Sequence, residues 1–208
     1  MNEMTLVKGK GPPKPLVGID IEGAVAESGW TKTDGVSTNA EMTYMFAGSS
    51  VYDYIRIPYA NTPYPNGENM ELRMKLVIYS IANTALPVYL ITKYTGATTS
   101  VNTSDWTLQR RANGNLAYNN AASGVNPIDT GKAIPLNEIF ELRWVRVGNS
   151  VSLYYNDELV HSTSTSPLRS APIDWMIGAM MNAANNGAST NGSRMTWSLV
   201  GLRIKRLN

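Results

Sequence analysis

An apolar–polar alternation of period two constrains this chain more than any other feature. Across residues 70–78, Met70, Leu72, Met74, Leu76 and Ile78 alternate with Glu71, Arg73, Lys75 and Val77. Successive side chains of a strand point to opposite faces, so this pattern predicts a strand with one buried and one wet face. The same period recurs at 140–147, where Phe140, Leu142 and Trp144 oppose Glu141 and Arg143. It recurs near the C-terminus, where Val200, Leu202 and Ile204 oppose Gly201, Arg203 and Lys205. Three such segments predict antiparallel sheets packed on one side.

Turn chemistry divides the strands. Asn113-Gly114 lies between Trp106-Thr107-Leu108-Gln109 and Leu116-Ala117-Tyr118, which reads as a hairpin with its tip at the glycine. Gly148-Asn149-Ser150 precedes Val151-Ser152-Leu153-Tyr154-Tyr155. Asn156-Asp157 then turns that strand into Glu158-Leu159-Val160-His161, both turn residues tolerating the left-handed conformation. Many short strands with frequent turns predict a sandwich or barrel. The one helical spacing, Met176, Met180 and Ala184, is interrupted by Gly178 and by an Asn-rich run, so a strand from 175 to about 180 and a polar loop over 182–193 are expected. Residues 1–15, with Lys10, Pro12, Pro13, Lys14 and Pro15, lack the backbone donors for a helix or central strand and read as an extended arm, either a loose terminus or a strap for a neighbouring subunit. Residues 16–208 form one expected domain, with no internal repeat.

Composition narrows the function classes. In 208 residues, 43% are hydrophobic and 16% charged, enough apolar material for a core and too little charge for a disordered chain. A net charge of +2 argues against a nucleic-acid binder, and the basic trio Arg203, Lys205 and Arg206 suits a solvated strand edge. No apolar run approaches a membrane span. The absence of cysteine excludes disulfides and thiolate metal sites. The first residues carry no apolar secretion signal, which predicts synthesis in the cytoplasm without general export.

The order of elements resembles the concanavalin A-like lectin/glucanase superfamily, and within it the laminin-G and pentraxin-like modules. The resemblance spans roughly residues 29–207. It rests on Tyr52-Asp53-Tyr54-Ile55-Arg56-Ile57-Pro58, on Met70-Glu71-Leu72-Arg73-Met74-Lys75-Leu76, on Val88-Tyr89-Leu90-Ile91-Thr92-Lys93 with Trp106-Thr107-Leu108-Gln109, and on Met176-Ile177-Gly178-Ala179 and Leu199-Val200-Gly201-Leu202-Arg203-Ile204. Its most specific part is Trp144-Val145-Arg146-Val147 leading through Val151-Ser152-Leu153-Tyr154-Tyr155 to Asn156-Asp157, where the family often has Asn-Gly. The resemblance implies an all-β fold, a two-sheet antiparallel β-sandwich of the jelly-roll type.

That superfamily includes glycosidases, which need two suitably spaced carboxyl groups. Gly18-Ile19-Asp20-Ile21-Glu22-Gly23 approaches the glucanase signature, but Gly18 and Gly23 stand where its nucleophile and acid belong. Asp20 and Glu22 therefore read as a polar strand face. The single histidine, His161, has no nucleophile elbow beside it and reads as a polar residue at a strand end. No catalytic residue is expected. Calcium needs six to eight oxygens. Loop oxygens are plentiful at Asn61, Asn66, Asn102, Ser104, Asp105, Asn119, Asn120, Asn126 and Asp129, with few carboxylates among them. No cofactor is expected, calcium being the one ion such loops could hold. Trp106 and Trp144 fall within strands, whereas Tyr59, Tyr64 and Tyr94 adjoin polar loops. With Asn102, Asp105 and Asn119 they form the candidate ligand-binding set.

A recognition fold without cysteine or secretion signal, preceded by a Pro-rich arm, predicts a non-catalytic bacteriophage virion protein. The expected role is capsid decoration or accessory attachment. Expected partners are other virion proteins, cell-surface glycan and a second copy of the chain, with neither nucleic acid nor membrane. The alternative is a carbohydrate-binding tail-fibre or spike tip, and a glycoside hydrolase ranks last.

Overall fold

The computed structural model describes residues 18–21, 31–32, 36–38, 44–46, 54–57, 69–85, 88–94, 104–119, 127–164, 174–178 and 195–207. Among them are fifteen strands and no helix. They are β1 (Gly18–Ile21), β2 (Thr31–Lys32), β3 (Val36–Thr38), β4 (Tyr44–Phe46), β5 (Tyr54–Ile57), β6 (Met70–Ile81), β7 (Val88–Tyr94) and β8 (Ser104–Arg110). After these come β9 (Asn115–Asn119), β10 (Ile128–Ala133), β11 (Ile139–Val147), β12 (Ser150–Tyr155), β13 (Glu158–Thr163), β14 (Asp174–Gly178) and β15 (Met195–Arg206).

The strands form two sheets. The first runs β13-β12-β11-β6-β15-β4-β3, and the second runs β10-β9-β8-β7-β14-β5-β2. Alternate residues of both line one shared core. Leu72, Met74, Leu76 and Ile78 of β6 meet Phe140, Leu142 and Trp144 of β11, and Leu108, Leu116 and Tyr118 face them from the second sheet. Each such side chain contributes about 1.5–3 kcal/mol on leaving water. The expected all-β, two-sheet β-sandwich is the observed fold. The arm residues Lys10, Pro12, Pro13, Lys14 and Pro15 lie outside the described residues, as do Glu22 and the loop expected over 182–193.

Turns form where their chemistry demands. Asn156 and Asp157 both have positive φ, 46° and 65°, and close the β12–β13 hairpin. Gly114, at φ 90°, closes β8–β9, with the Arg111 amide donating to the Asn115 carbonyl at 2.8 Å. Asp129 then ties β10 to that hairpin tip by accepting from Asn113 at 2.7 Å, Asn115 at 3.0 Å and the Gly131 amide at 2.8 Å. These bonds, led by that from Asn113, hold the Asp129 carboxyl below the usual aspartate pKa.

One parallel pair joins the antiparallel ladders: β1 runs parallel to β15, with Gly18 opposite Gly201 and Ile21 opposite Ile204. Long β15 accommodates this because β4 pairs antiparallel with its first half, at residues 197–199, leaving the second half for β1. That same placement puts Arg203 between β6 and β1 rather than at a sheet edge, whereas Lys205 and Arg206 pair with β6 alone among the described residues. A further correction concerns Val200. A register shift between Leu199 and Gly201 makes Leu199 and Leu202 the core residues there, three apart, and Val200 falls outside the core.

His161 also sits differently. It pairs with core residue Leu153 in mid-strand, with its ring centroid 5.5 Å from that of Tyr118 in the opposite sheet. It therefore lies between the sheets rather than at a strand end. Burial lowers its pKa below the ordinary 6.5.

Candidate functional site

Strands β7, β8 and β9 build an unusual face on the second sheet. Leu108, Leu116 and Tyr118 turn toward the core. Thr107, Gln109 and Ala117, at the alternate positions, occupy the opposite face. A sheet face turned from the core ordinarily meets water. Here Thr107 is 0% exposed, Gln109 2% and Ala117 0%.

Thr107 and Asn119 are directly opposite one another across β8 and β9, and Gln109 faces Ala117 one pair along. Thr107 Oγ1 and Asn119 Oδ1 are buried, and neither has a hydrogen-bond partner. Asn119, at the last position of β9, is as a whole residue only half-buried. Two adjacent, oriented and unspent polar atoms can each bind a hydroxyl hydrogen, and the threonine can also donate.

The structure brings together half of the sequence-derived ligand set. Tyr94 is the last residue of β7, Asp105 the second of β8 and Asn119 the last of β9. Tyr94 pairs with Ser104 and Thr92 with Thr107, so these three positions lie at one end of three adjacent strands. Tyr59, Tyr64 and Asn102 lie outside the described residues. Thr107 and Gln109 are the additions. In the sequence they look like the ordinary polar half of an alternating strand, and only the tertiary burial of both faces separates them. Among the described residues, no three His, Asp or Glu side chains gather as a metal site.

The first sheet carries a second polar arrangement on its core-distal face. Two Glu-Leu-Arg triplets, 71–73 and 141–143, run antiparallel with Arg73 opposite Arg143. Arg73 Nε donates to Glu71 at 2.9 Å and its Nη1 to Glu141 at 2.9 Å. Arg143 Nη1 lies 3.6 Å from Glu71, and its Nε 3.6 Å from Asp157. The Arg143 guanidinium stacks 3.8 Å from the centre of the Tyr154 ring. Burial opposes the charge on Arg73, yet its carboxylate partners, Glu71 foremost, outweigh that and raise its pKa above the usual value. Directly opposed arginines repel across a strand pair. The diagonal carboxylates offset that repulsion, so the wet face expected for β6 is largely a neutralising lattice, with Glu71 only 5% exposed.

Sequence comparison finds no matching family model and no matching curated protein. Solved structures do match. An alginate lyase of polysaccharide lyase family 7 is 12% identical, with a TM-score of 0.58 over 85% of this chain and 84% of that one. The Trypanosoma rangeli sialidase in complex with sialic acid is 12% identical, with a TM-score of 0.62 over 86% of this chain; this chain spans only 28% of the sialidase. A carbohydrate-binding module from Bacillus subtilis is 12% identical, with a TM-score of 0.52 over 85% of this chain and 95% of the module.

These likenesses establish the β-sandwich fold that the lectin-like resemblance implies. They also overturn the expectation of a non-catalytic protein. That expectation leaned on a failed glucanase signature, whereas an alginate lyase and a sialidase stand among the similar structures. Rejecting one signature at Gly18 and Gly23 does not reject other chemistry on the same sandwich, because activity resides in a site and not in the fold.

Proposed function

We propose that the protein recognises a glycan on the core-distal face of the second sheet, where β7, β8 and β9 end together. The observation that carries this reading is the opposed pair Thr107 Oγ1 and Asn119 Oδ1, buried without partners. Leaving a buried polar group unsatisfied costs about 1–3 kcal/mol. Adjacent sugar hydroxyls offset that cost by donating to Asn119 Oδ1 and bonding to Thr107 Oγ1. Gln109 supplies a buried amide one residue pair further in. Similar structures support a sugar ligand, since they include a carbohydrate-binding module and a sialidase in complex with sialic acid.

A glycan array followed by calorimetric titration tests this. Binding is expected to at least one glycan class, with the affinity lost on Thr107→Val and on Asn119→Leu. An array without hits, or an affinity that neither substitution changes, counts against the site.

The setting we propose is the surface of a bacteriophage particle, as a decoration or attachment protein. The Pro-rich residues Lys10 to Pro15 would act as its strap, and the cysteine-free composition supports the reading. Mass spectrometry of purified particles tests it. Absence of the protein from them refutes it.

A further inference from the structure

The hairpin tip at Asn113-Gly114 carries chemistry that neither the core nor the second-sheet site uses. Asn113 is exposed, and the residue after it lacks the Cβ that would shield its backbone nitrogen. In such a pair the Gly114 nitrogen can attack Asn113 Cγ. The N–Cγ bond forms, the Cγ–Nδ2 bond breaks, and the amide proton leaves with the departing ammonia as a succinimide ring closes. Water then opens the ring at Cγ, giving aspartate, or at the backbone carbonyl, giving isoaspartate. Asn-Gly pairs begin at Asn66, Asn113, Asn186 and Asn191, and of these only Asn113 is among the described residues.

Each group that must react is held. The nucleophile, the Gly114 amide, donates to the Arg111 carbonyl at 2.9 Å. The leaving group, Asn113 Nδ2, donates to Asp129 Oδ2 at 2.7 Å. Asn113 Oδ1 accepts from the Asn115 amide at 3.0 Å. Ring closure turns the side-chain amide onto the Gly114 nitrogen and takes the hydrogen from it, which breaks these bonds. Asp129 is itself fixed by the Asn115 side chain at 3.0 Å and the Gly131 amide at 2.8 Å. Its carboxyl lies below the usual aspartate range, the Asn113 bond being the first cause, so the anchor stays charged at neutral pH.

The product alters the same contact. Aspartate at this position replaces the donor with a second carboxylate, and like charges so close repel. The strand affected is β10, the last in its sheet. Its ladder with β9 pairs Ile128 and Asp129, then shifts register before Ala133. Ties from Asp129, and from Thr130 Oγ1 to the Leu116 carbonyl, span that shift.

We propose that Asn113 is a latent deamidation site, held unreactive in the folded chain by Asp129 and the Arg111–Gly114 turn, and that its conversion unties β10 from the β8–β9 hairpin. The site does not depend on glycan binding.

The full chain is incubated at mildly alkaline pH, folded and in guanidinium chloride, and peptide mapping that resolves asparagine, aspartate and isoaspartate follows each Asn-Gly pair. In denaturant Asn113 is expected to convert at a rate similar to Asn66, Asn186 and Asn191. In the folded chain it is expected to convert about tenfold more slowly, because its anchoring bond is to a charged group. Asp129→Ala is expected to raise the folded rate several-fold, and Asp129→Asn, which keeps an acceptor oxygen, to raise it less. Asn113→Asp makes the product directly. It is expected to raise the Asp129 pKa in an NMR titration and to lose hydrogen-exchange protection over β10 while β11 and β12 keep theirs. The proposal is overturned if Asn113 converts as fast folded as unfolded, or does not convert in the denatured chain. It is equally overturned if Asp129→Ala leaves the folded rate unchanged, or if Asn113→Asp leaves β10 protected.

Discussion

Thr107→Val separates function from stability, because the two are expected to move in opposite directions. Thr107 is 0% exposed, and its Oγ1 has no hydrogen-bond partner. Valine keeps the branched shape and the strand preference and replaces only the hydroxyl. The change removes an unsatisfied group whose burial costs about 1–3 kcal/mol. Some of that gain is offset by the added methyl, which must fit a packed position. A net stabilisation of about 1 kcal/mol is expected, which for a chain of this size raises Tm by about 2–4 °C. Thermal and urea unfolding of the free protein measure it. Thr107→Ser, which keeps the hydroxyl and loses a buried methyl, should instead be less stable than wild type by about 1 kcal/mol. Glycan affinity should fall in the valine variant despite its greater stability. A valine variant less stable than wild type with an unchanged m-value would refute the reasoning, since the hydroxyl must then have a partner.

Other consequences follow from the same geometry. Burial depresses the pKa of His161 below 6.5 in the folded state, so the unfolded chain takes up that proton first as pH falls. The histidine's contribution to stability is therefore complete above pH 6.5 and is lost as pH falls through the folded value; His161→Leu should remove this part of the pH dependence in urea melts. Asp157→Gly should stabilise the β12–β13 hairpin by about 0.5 kcal/mol, because glycine meets φ 65° without strain and surface ion pairs are worth little. A drop in Tm would contradict this. Arg73→Ala removes the 2.9 Å partner of nearly buried Glu71 and should cost about 2 kcal/mol or more, read by chemical denaturation. A neutral result would mean that the remaining partners of Glu71, Arg143 among them, satisfy it.

Much of the fold was legible because its cause is local. Alternation in 70–78 and 140–147 placed Leu72, Leu142 and Trp144 in the core, and Asn113-Gly114 and Asn156-Asp157 marked hairpins by their own backbone preferences. The failures share a physical origin in pairing. Val200 continues the alternation in sequence, but the register shift beside it moves the core positions to Leu199 and Leu202. Arg203 resembles an edge residue because nothing in the sequence shows β1 arriving alongside. Asp105, Asn119 and Tyr94 stand out in the sequence by residue type beside polar loops. Thr107 does not, since its burial depends on the tertiary structure. The Glu-Leu-Arg triplets at 71–73 and 141–143 carry no meaning in the sequence, because their diagonal ion pairs depend on the β6–β11 register.

The most direct test of the second-sheet site is a map of backbone amide shifts in ¹H–¹⁵N spectra as the best glycan from the array is titrated in. The account predicts the largest changes at Thr107, Gln109 and Asn119, spreading along β7, β8 and β9. Changes confined to the first sheet, or none at saturating glycan, would contradict it.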